Sequence, residues 1–253
     1  MITLEYDEAG AGQPVVLLHG HPFNRTMWRP QLRALSHAFR VIAPDLRGYG
    51  ESPMTPGTVP MATLAGDVWT LLDGLGVKRT ALVGLSMGGL VAMEMALAQP
   101  ERVWALGLTA TTAEPVKAGE REQRRALADA AEREGMRPLV EMMGPKLLAP
   151  GTDPETVEFV RAMMESNDPE GAAAALRGRA ERPDYRPGLG TLRMPVWVCV
   201  GDQDEYSTAE ITRELVGSLA APQTLTLPGV GHLPNLERPD AFNAALERFL
   251  AEV

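Results

Sequence analysis

The sequence predicts an α/β protein: a mainly parallel, doubly wound sheet with a block of helices inserted between two of its strands. Three observations predict it. Short β-rich runs alternate with longer helical patterns, the order that gives parallel strands with helices on both faces. Several runs are continuously apolar, as strands covered on both sides require. From Thr112 to Leu192 the strand pattern stops, over a length far beyond an ordinary crossover.

Taken in order, the expected strands are Ile2–Tyr6, Val15–Leu18, Arg40–Ala43, Thr80–Gly84, Val103–Thr109, Val196–Val200 and Gln223–Leu227. Ile2–Tyr6 alternates apolar and polar residues; Val15–Leu18 and Val196–Val200 are unbroken apolar runs. The helices expected between them are Arg29–His37, Met61–Leu75, Met87–Ala98, Thr208–Leu219 and Asp240–Ala251. Inside the strandless stretch, helical patterns cover Val116–Glu134, Pro138–Leu148, Pro154–Ser166 and Pro169–Ala180, punctuated by proline and glycine. Residues 1–111 and 193–253 are thus expected to form the core domain, and 112–192 a helical cap, or lid.

Composition narrows the function. Hydrophobic residues make up 45% of the 253 and charged residues 23%, enough to bury a core without staples. The net charge of −9 argues against a nucleic-acid backbone or an anionic membrane surface as partner. No apolar run approaches membrane-spanning length, and the first residues lack the basic and apolar regions of a signal peptide. A cytoplasmic location is the expectation. The single cysteine, Cys199, lies in an apolar strand and reads as a structural thiol.

The chemistry is carried by loops at strand ends. After Thr80–Gly84 comes Gly84-Leu85-Ser86-Met87-Gly88-Gly89, then a helix. This is G-x-S-x-G between strand and helix, where a nucleophile sits on a sharp turn and glycines let the flanking elements approach. A hydroxyl needs a base. Among four histidines, His37 falls on a surface helix; His19 and His21 flank Gly20 after the second strand. His232 follows the last strand, at the sheet edge where catalytic groups collect. The acid that orients it is sought after Val196–Val200, where Asp204 is preferred. Asp202 is the alternative, although it directly follows a turn glycine and is suited to hold loop amides as an Asx-type turn residue; Glu114 is a remoter candidate. The order Ser86, Asp204, His232 is that of a hydrolytic triad.

Five motifs, in order, carry a resemblance that spans nearly the whole chain. They are His19-Gly20-His21-Pro22, Asp45-Leu46-Arg47-Gly48-Tyr49-Gly50-Glu51-Ser52, Gly84-Leu85-Ser86-Met87-Gly88-Gly89, Gly201-Asp202-Gln203-Asp204 and Gly231-His232-Leu233-Pro234-Asn235-Leu236-Glu237. The sequence resembles the α/β-hydrolase superfamily, in its serine-nucleophile branch. That resemblance implies an oxyanion hole made by the amides of His21 and Met87, with the His21 ring merely lining the pocket. It implies that Asp45–Ser52 shapes the site entrance, with Arg47 anchoring the loop. It implies a small ester or lactone as substrate, and neither a metal nor an organic cofactor. Small carboxylesterases and enol-lactone hydrolases are the nearest likeness; carbon–carbon bond hydrolases and haloperoxidase-type esterases stay open, as does a non-enzymatic binder of a small hydrophobic ligand. Family members often begin with one more strand, so the sheet is expected to lack it.

Met136, Met142, Met143, Met163 and Met164 fall in the inserted stretch. They are expected either to line an adaptable apolar pocket or to pack the inserted helices together. Lys117, Arg121, Arg124 and Arg125 interleave with acids, which reads as a solvated helix face rather than a carboxylate-binding patch.

Overall fold

A computed structural model describes residues 2–253. Its strands are β1 (Tyr6–Ala9), β2 (Pro14–Leu18), β3 (Arg40–Pro44), β4 (Thr80–Leu85), β5 (Val103–Thr109), β6 (Val196–Gly201) and β7 (Gln223–Leu227). They form one sheet in the order β1-β3-β2-β4-β5-β6-β7. Every neighbouring pair is parallel except β1 with β3.

The central strands are buried along their whole length, and their two-residue period sorts the core into two layers. Val16, Leu18, Leu82, Leu106 and Val198 face one side, with α2 (Met61–Gly74) and α3 (Met87–Ala98). Val15, Leu17, Val83, Ala105 and Trp197 face the other, with α1 (Arg29–Leu35) and α11 (Pro239–Ala251). Each such valine or leucine, fully buried, stabilises the fold by about 1.5–3 kcal/mol. Between β7 and α11 lies the short α10 (Pro234–Glu237), and between β6 and β7 lies α9 (Ala209–Gly217).

The strand order reverses between β2 and β4. From β2 the chain turns to β3 on one side; β4 then lies on β2's other side. Loops leaving β2 and β4 therefore diverge to opposite faces and open a crevice at the carboxyl ends of the strands, the general ligand position in open α/β sheets.

Between β5 and β6 run α4 (Ala118–Glu134), α5 (Arg137–Met143), α6 (Pro154–Glu165), α7 (Pro169–Arg179) and α8 (Arg186–Leu189). The helix expected over Pro138–Leu148 is shorter: at Gly144 and Pro145 it tightens into a 3-10 turn, because Pro145 has no amide to donate. These helices are tied to the rest of the chain. Val59 N donates to Ala174 O (2.9 Å) and Tyr185 N to Ala113 O (2.9 Å). Gly48 and Gly171 touch backbone to backbone, so that a Cβ on either would overlap the other.

The first strand corrects the sequence reading. Residues 2–5 form no ladder, and β1 is Tyr6–Ala9. The alternation of Ile2 and Leu4 is real, but Leu4 is buried in the core from an extended segment, held at Glu5 by Asp45 N and Ser52 Oγ. The ladder itself uses the more polar Tyr6, Asp7, Glu8 and Ala9 against β3, as a half-exposed edge strand can. No helix among the described residues is long and apolar enough to cross a membrane.

Candidate active site

Ser86 stands at the turn from β4 to α3 with φ 53° and ψ −112°. That is a left-handed conformation for a residue with a side chain, costing about 1–3 kcal/mol unless neighbours enforce it. They do. Ser86 N donates to Thr109 O (2.9 Å), while Ser86 O accepts from Gly89 N (3.0 Å) and from Thr111 Oγ1 (2.7 Å). The two motif glycines have a packing reason. A Cβ on Gly84 would overlap the Gly88 carbonyl, and one on Gly88 would overlap the Leu18 carbonyl. Strand, helix and the end of β2 meet too closely for any side chain there.

His232 follows β7, and Asp204 follows β6. His232 Nδ1 lies 2.9 Å from Asp204 Oδ2 and 3.0 Å from Oδ1, with both groups buried. Asp204 Oδ1 also accepts the amides of Tyr206 (2.8 Å) and Ser207 (2.9 Å). Burial opposes ionisation of this carboxyl, but His232 and the two amides outweigh it and hold its pKa below the ordinary aspartate value. Asp202 does other work: its carboxylate accepts Gly229 N (2.7 Å) and braces the turn that leads to His232. Glu114 stands against Glu214, which raises its pKa, and it does not meet His232.

The loop after β2 supplies free donors. Neither His21 N nor Met87 N has an acceptor among the described residues. The Tyr49 hydroxyl touches the side chains of both residues, at 2.6 Å from His21 Nδ1 and 3.8 Å from Met87 Sδ. The His21 ring corrects the expectation that it lines the pocket: it is buried against Tyr49 and absent from the cavity wall. Burial, followed by the charge on Arg179, keeps its pKa well below the usual histidine value. His19 is a pin, accepting Leu46 N at Nε2 (2.9 Å), with Nδ1 on Gly20 O (2.9 Å).

The Asp45–Ser52 loop is fastened at each end. Asp45 accepts Arg25 N (2.7 Å) and Glu51 N (2.9 Å) and pairs with the Arg25 guanidinium. Arg47 forms a two-pronged pair with Asp67 (2.7 and 2.6 Å). His37 is exposed and pairs with Glu247. Cys199 is buried in β6, and burial pushes its thiol above the ordinary value.

Ser86 and His232 open onto one cavity of about 460 Å³, within the range of small-molecule sites. Of the inserted methionines, Met142 and Met143 line it. Met136, Met163 and Met164 do not; they are buried in the two core layers. Arg124 also corrects its reading as part of a solvated face, since it lines the cavity with Arg179 and Arg182.

One buried group had no sequence signal for its role. Glu237, on α10, accepts Gly231 N (3.0 Å) and Leu233 N (3.2 Å), the amides on either side of His232. It also accepts Ala149 N (2.8 Å) and Thr152 Oγ1 (3.1 Å) from the inserted segment. Replacing it by alanine orphans several buried donors. Glu237→Ala is expected to destabilise the fold by about 3 kcal/mol, lowering the melting temperature by roughly 6–12 °C. Calorimetry checks this, and an unchanged melting temperature would refute the staple.

The model of the alpha/beta hydrolase family matches residues 15–245. The chain belongs to the alpha/beta hydrolase family. Within it, the chain is 30% identical over 251 residues to 3-oxoadipate enol-lactonase 2 of Acinetobacter baylyi, covering 97% of this chain and 92% of the relative. A thermophilic esterase from Thermogutta terrifontis, solved with malate bound, superposes with a TM-score of 0.97 at 40% identity, covering 99% of this chain and 94% of its own. The enol-lactonase from Burkholderia xenovorans LB400 superposes with a TM-score of 0.91 at 30% identity, over 98% and 96% of the two chains. The seven-stranded sheet, its elbow and its loop order are thus those of an alpha/beta hydrolase with a serine at the elbow.

Proposed function

We propose that this protein is a serine hydrolase that cleaves small carboxylic esters or lactones through an acyl-enzyme. The observation that carries the reading is the buried Asp204–His232 pair, whose histidine opens with the strained Ser86 onto one cavity. In the proposed cycle, His232 Nε2 takes the proton of Ser86 Oγ as the oxygen attacks the carbonyl carbon. Nδ1–H stays on Asp204, whose charge stabilises the imidazolium. The amides of His21 and Met87 bind the oxyanion, each worth about 3 kcal/mol in comparable sites. His232 returns the proton to the leaving oxygen; the alcohol departs from an ester, or stays tethered to the acyl group of an opened lactone, and water repeats the sequence to free the acid.

Esterase and enol-lactonase relatives support both substrate classes. In this reading residues 112–192 act as a cap that shapes the cavity, and residues 1–111 and 193–253 carry the chemistry. A fluorophosphonate probe tests the proposal. Stoichiometric labelling at Ser86, together with hydrolysis of short-chain aryl esters, is the expected result. Folded protein with an unlabelled Ser86 and no ester turnover would favour a ligand binder instead.

A further inference from the structure

The cavity beside Ser86 holds more positive charge than hydrolysis of a neutral ester uses. Arg124 of α4, Arg179 at the end of α7 and Arg182 in the following turn all reach it. Their partners differ. Arg124 donates to Glu120 (2.9 Å). Arg182 is buried and donates from Nε to the Glu114 carbonyl (2.9 Å). Arg179 makes no salt bridge and finds no acceptor among the described residues, and its Nε is fully buried without one.

Arg179 is also well placed. Tyr49, beneath the oxyanion loop, and Tyr206, whose ring lies 5.1 Å from that of His232, both act on its charge, and it acts on His21. It lines the same cavity as Ser86, His232 and Tyr206. Burial, then Arg124 and Arg182, push its pKa down to about 9, which still leaves it charged at neutral pH. The acids on the cavity wall do not neutralise it. Glu120 is engaged with Arg124, Glu114 stands against Glu214, and Glu205 is exposed. A guanidinium whose Nε is buried without an acceptor, beside two others, destabilises the empty protein. A planar carboxylate satisfies it with two parallel hydrogen bonds.

We propose that Arg179, with Arg124 and Arg182 beside it, binds a carboxylate of the substrate, so that the preferred esters or lactones carry a free acid group besides the bond that is cleaved. This rests on the serine-hydrolase reading and narrows its substrate class.

The test compares two esters of equal length, mono(4-nitrophenyl) glutarate and 4-nitrophenyl valerate. The native protein is expected to prefer the charged ester in kcat/KM by about 10- to 100-fold. Arg179→Gln is expected to erase most of that preference, chiefly through KM, and Arg179→Lys to restore part of it. Arg124→Gln, on a more accessible helix, should show a smaller loss of the same kind and serves if Arg179→Gln does not fold. Equal rates on the two esters in the native protein, or an equal loss on both in Arg179→Gln, would overturn the carboxylate site.

A binding arm separates the two readings. Ser86→Ala protein titrated calorimetrically with glutarate should bind it, and the Ser86→Ala, Arg179→Gln protein should not. Ester cleavage without glutarate binding removes the carboxylate site and keeps the hydrolase. Glutarate binding without any cleavage by the native protein removes the hydrolase and keeps the site.

Discussion

Ser86→Ala is expected to lower kcat on a short-chain ester by about 10⁶-fold, the loss that follows removal of a serine nucleophile from a triad. The melting temperature should be essentially unchanged. Both halves follow from the elbow. The strained turn is held by the Ser86 backbone, through Thr109 O, Gly89 N and the Thr111 hydroxyl, and alanine keeps all three contacts. The hydroxyl alone is lost, and nothing else at that point can attack a carbonyl. Stopped assays at high enzyme concentration, with mass spectrometry for contaminating native protein, measure the residue. Activity within a hundredfold of native would remove Ser86 from the chemistry.

Asp204→Asn should cost about 10⁴-fold in kcat with little change in KM. Asp204 Oδ1 takes the amides of Tyr206 and Ser207, so in the variant the amide oxygen stays there and the new NH₂ group takes the position of Oδ2. It then points a donor at His232 Nδ1. The ring must answer with an acceptor, moving its proton to Nε2, where it can no longer receive one from Ser86. The geometry stays intact and the tautomer is wrong. A variant retaining a tenth of native kcat would show that another acid orients the histidine.

Much of this site was legible because its residues sit where the chain announces a change. Ser86 lies between an apolar strand and a helix, and Asp204 and His232 directly follow strands. Asp202 was separable from Asp204 by its place after the turn glycine, but the amides it holds are not those of a local Asx turn: they belong to the Gly229 turn, 27 residues away. What the sequence hid depends on contacts between distant segments. Arg124, Arg179 and Arg182 come from two helices and a turn and converge only when α4 packs on α7. On its own helix, Arg124 sits one turn from Glu120 and resembles a solvated pair. The inserted methionines share one composition but divide between core and cavity according to which helix face each occupies. The edge strand misled for a physical reason: Leu4 is buried by the core without joining a ladder, so apolar alternation and sheet pairing part company there.

Glu237 carries a consequence for how this protein can be rebuilt. The carboxylate that fixes the amides around His232 also holds Ala149 and Thr152, and His232 N donates to Leu147 O (2.9 Å). At the loops after β2 and β3, Asn167 donates to Pro22 O (2.9 Å) and accepts Gly50 N (2.9 Å). The inserted helices are therefore not an interchangeable module. A chimera that borrows them from a relative to change substrate range must carry residues 147–152 and 229–237 as one exchanged unit, with Asn167 matched to the recipient's loops. Otherwise the graft disturbs the histidine it was meant to leave alone. Diversification by recombination is confined to positions that contact neither loop, and single substitutions at Arg124, Arg179 and Arg182 are the more accessible route to a new specificity.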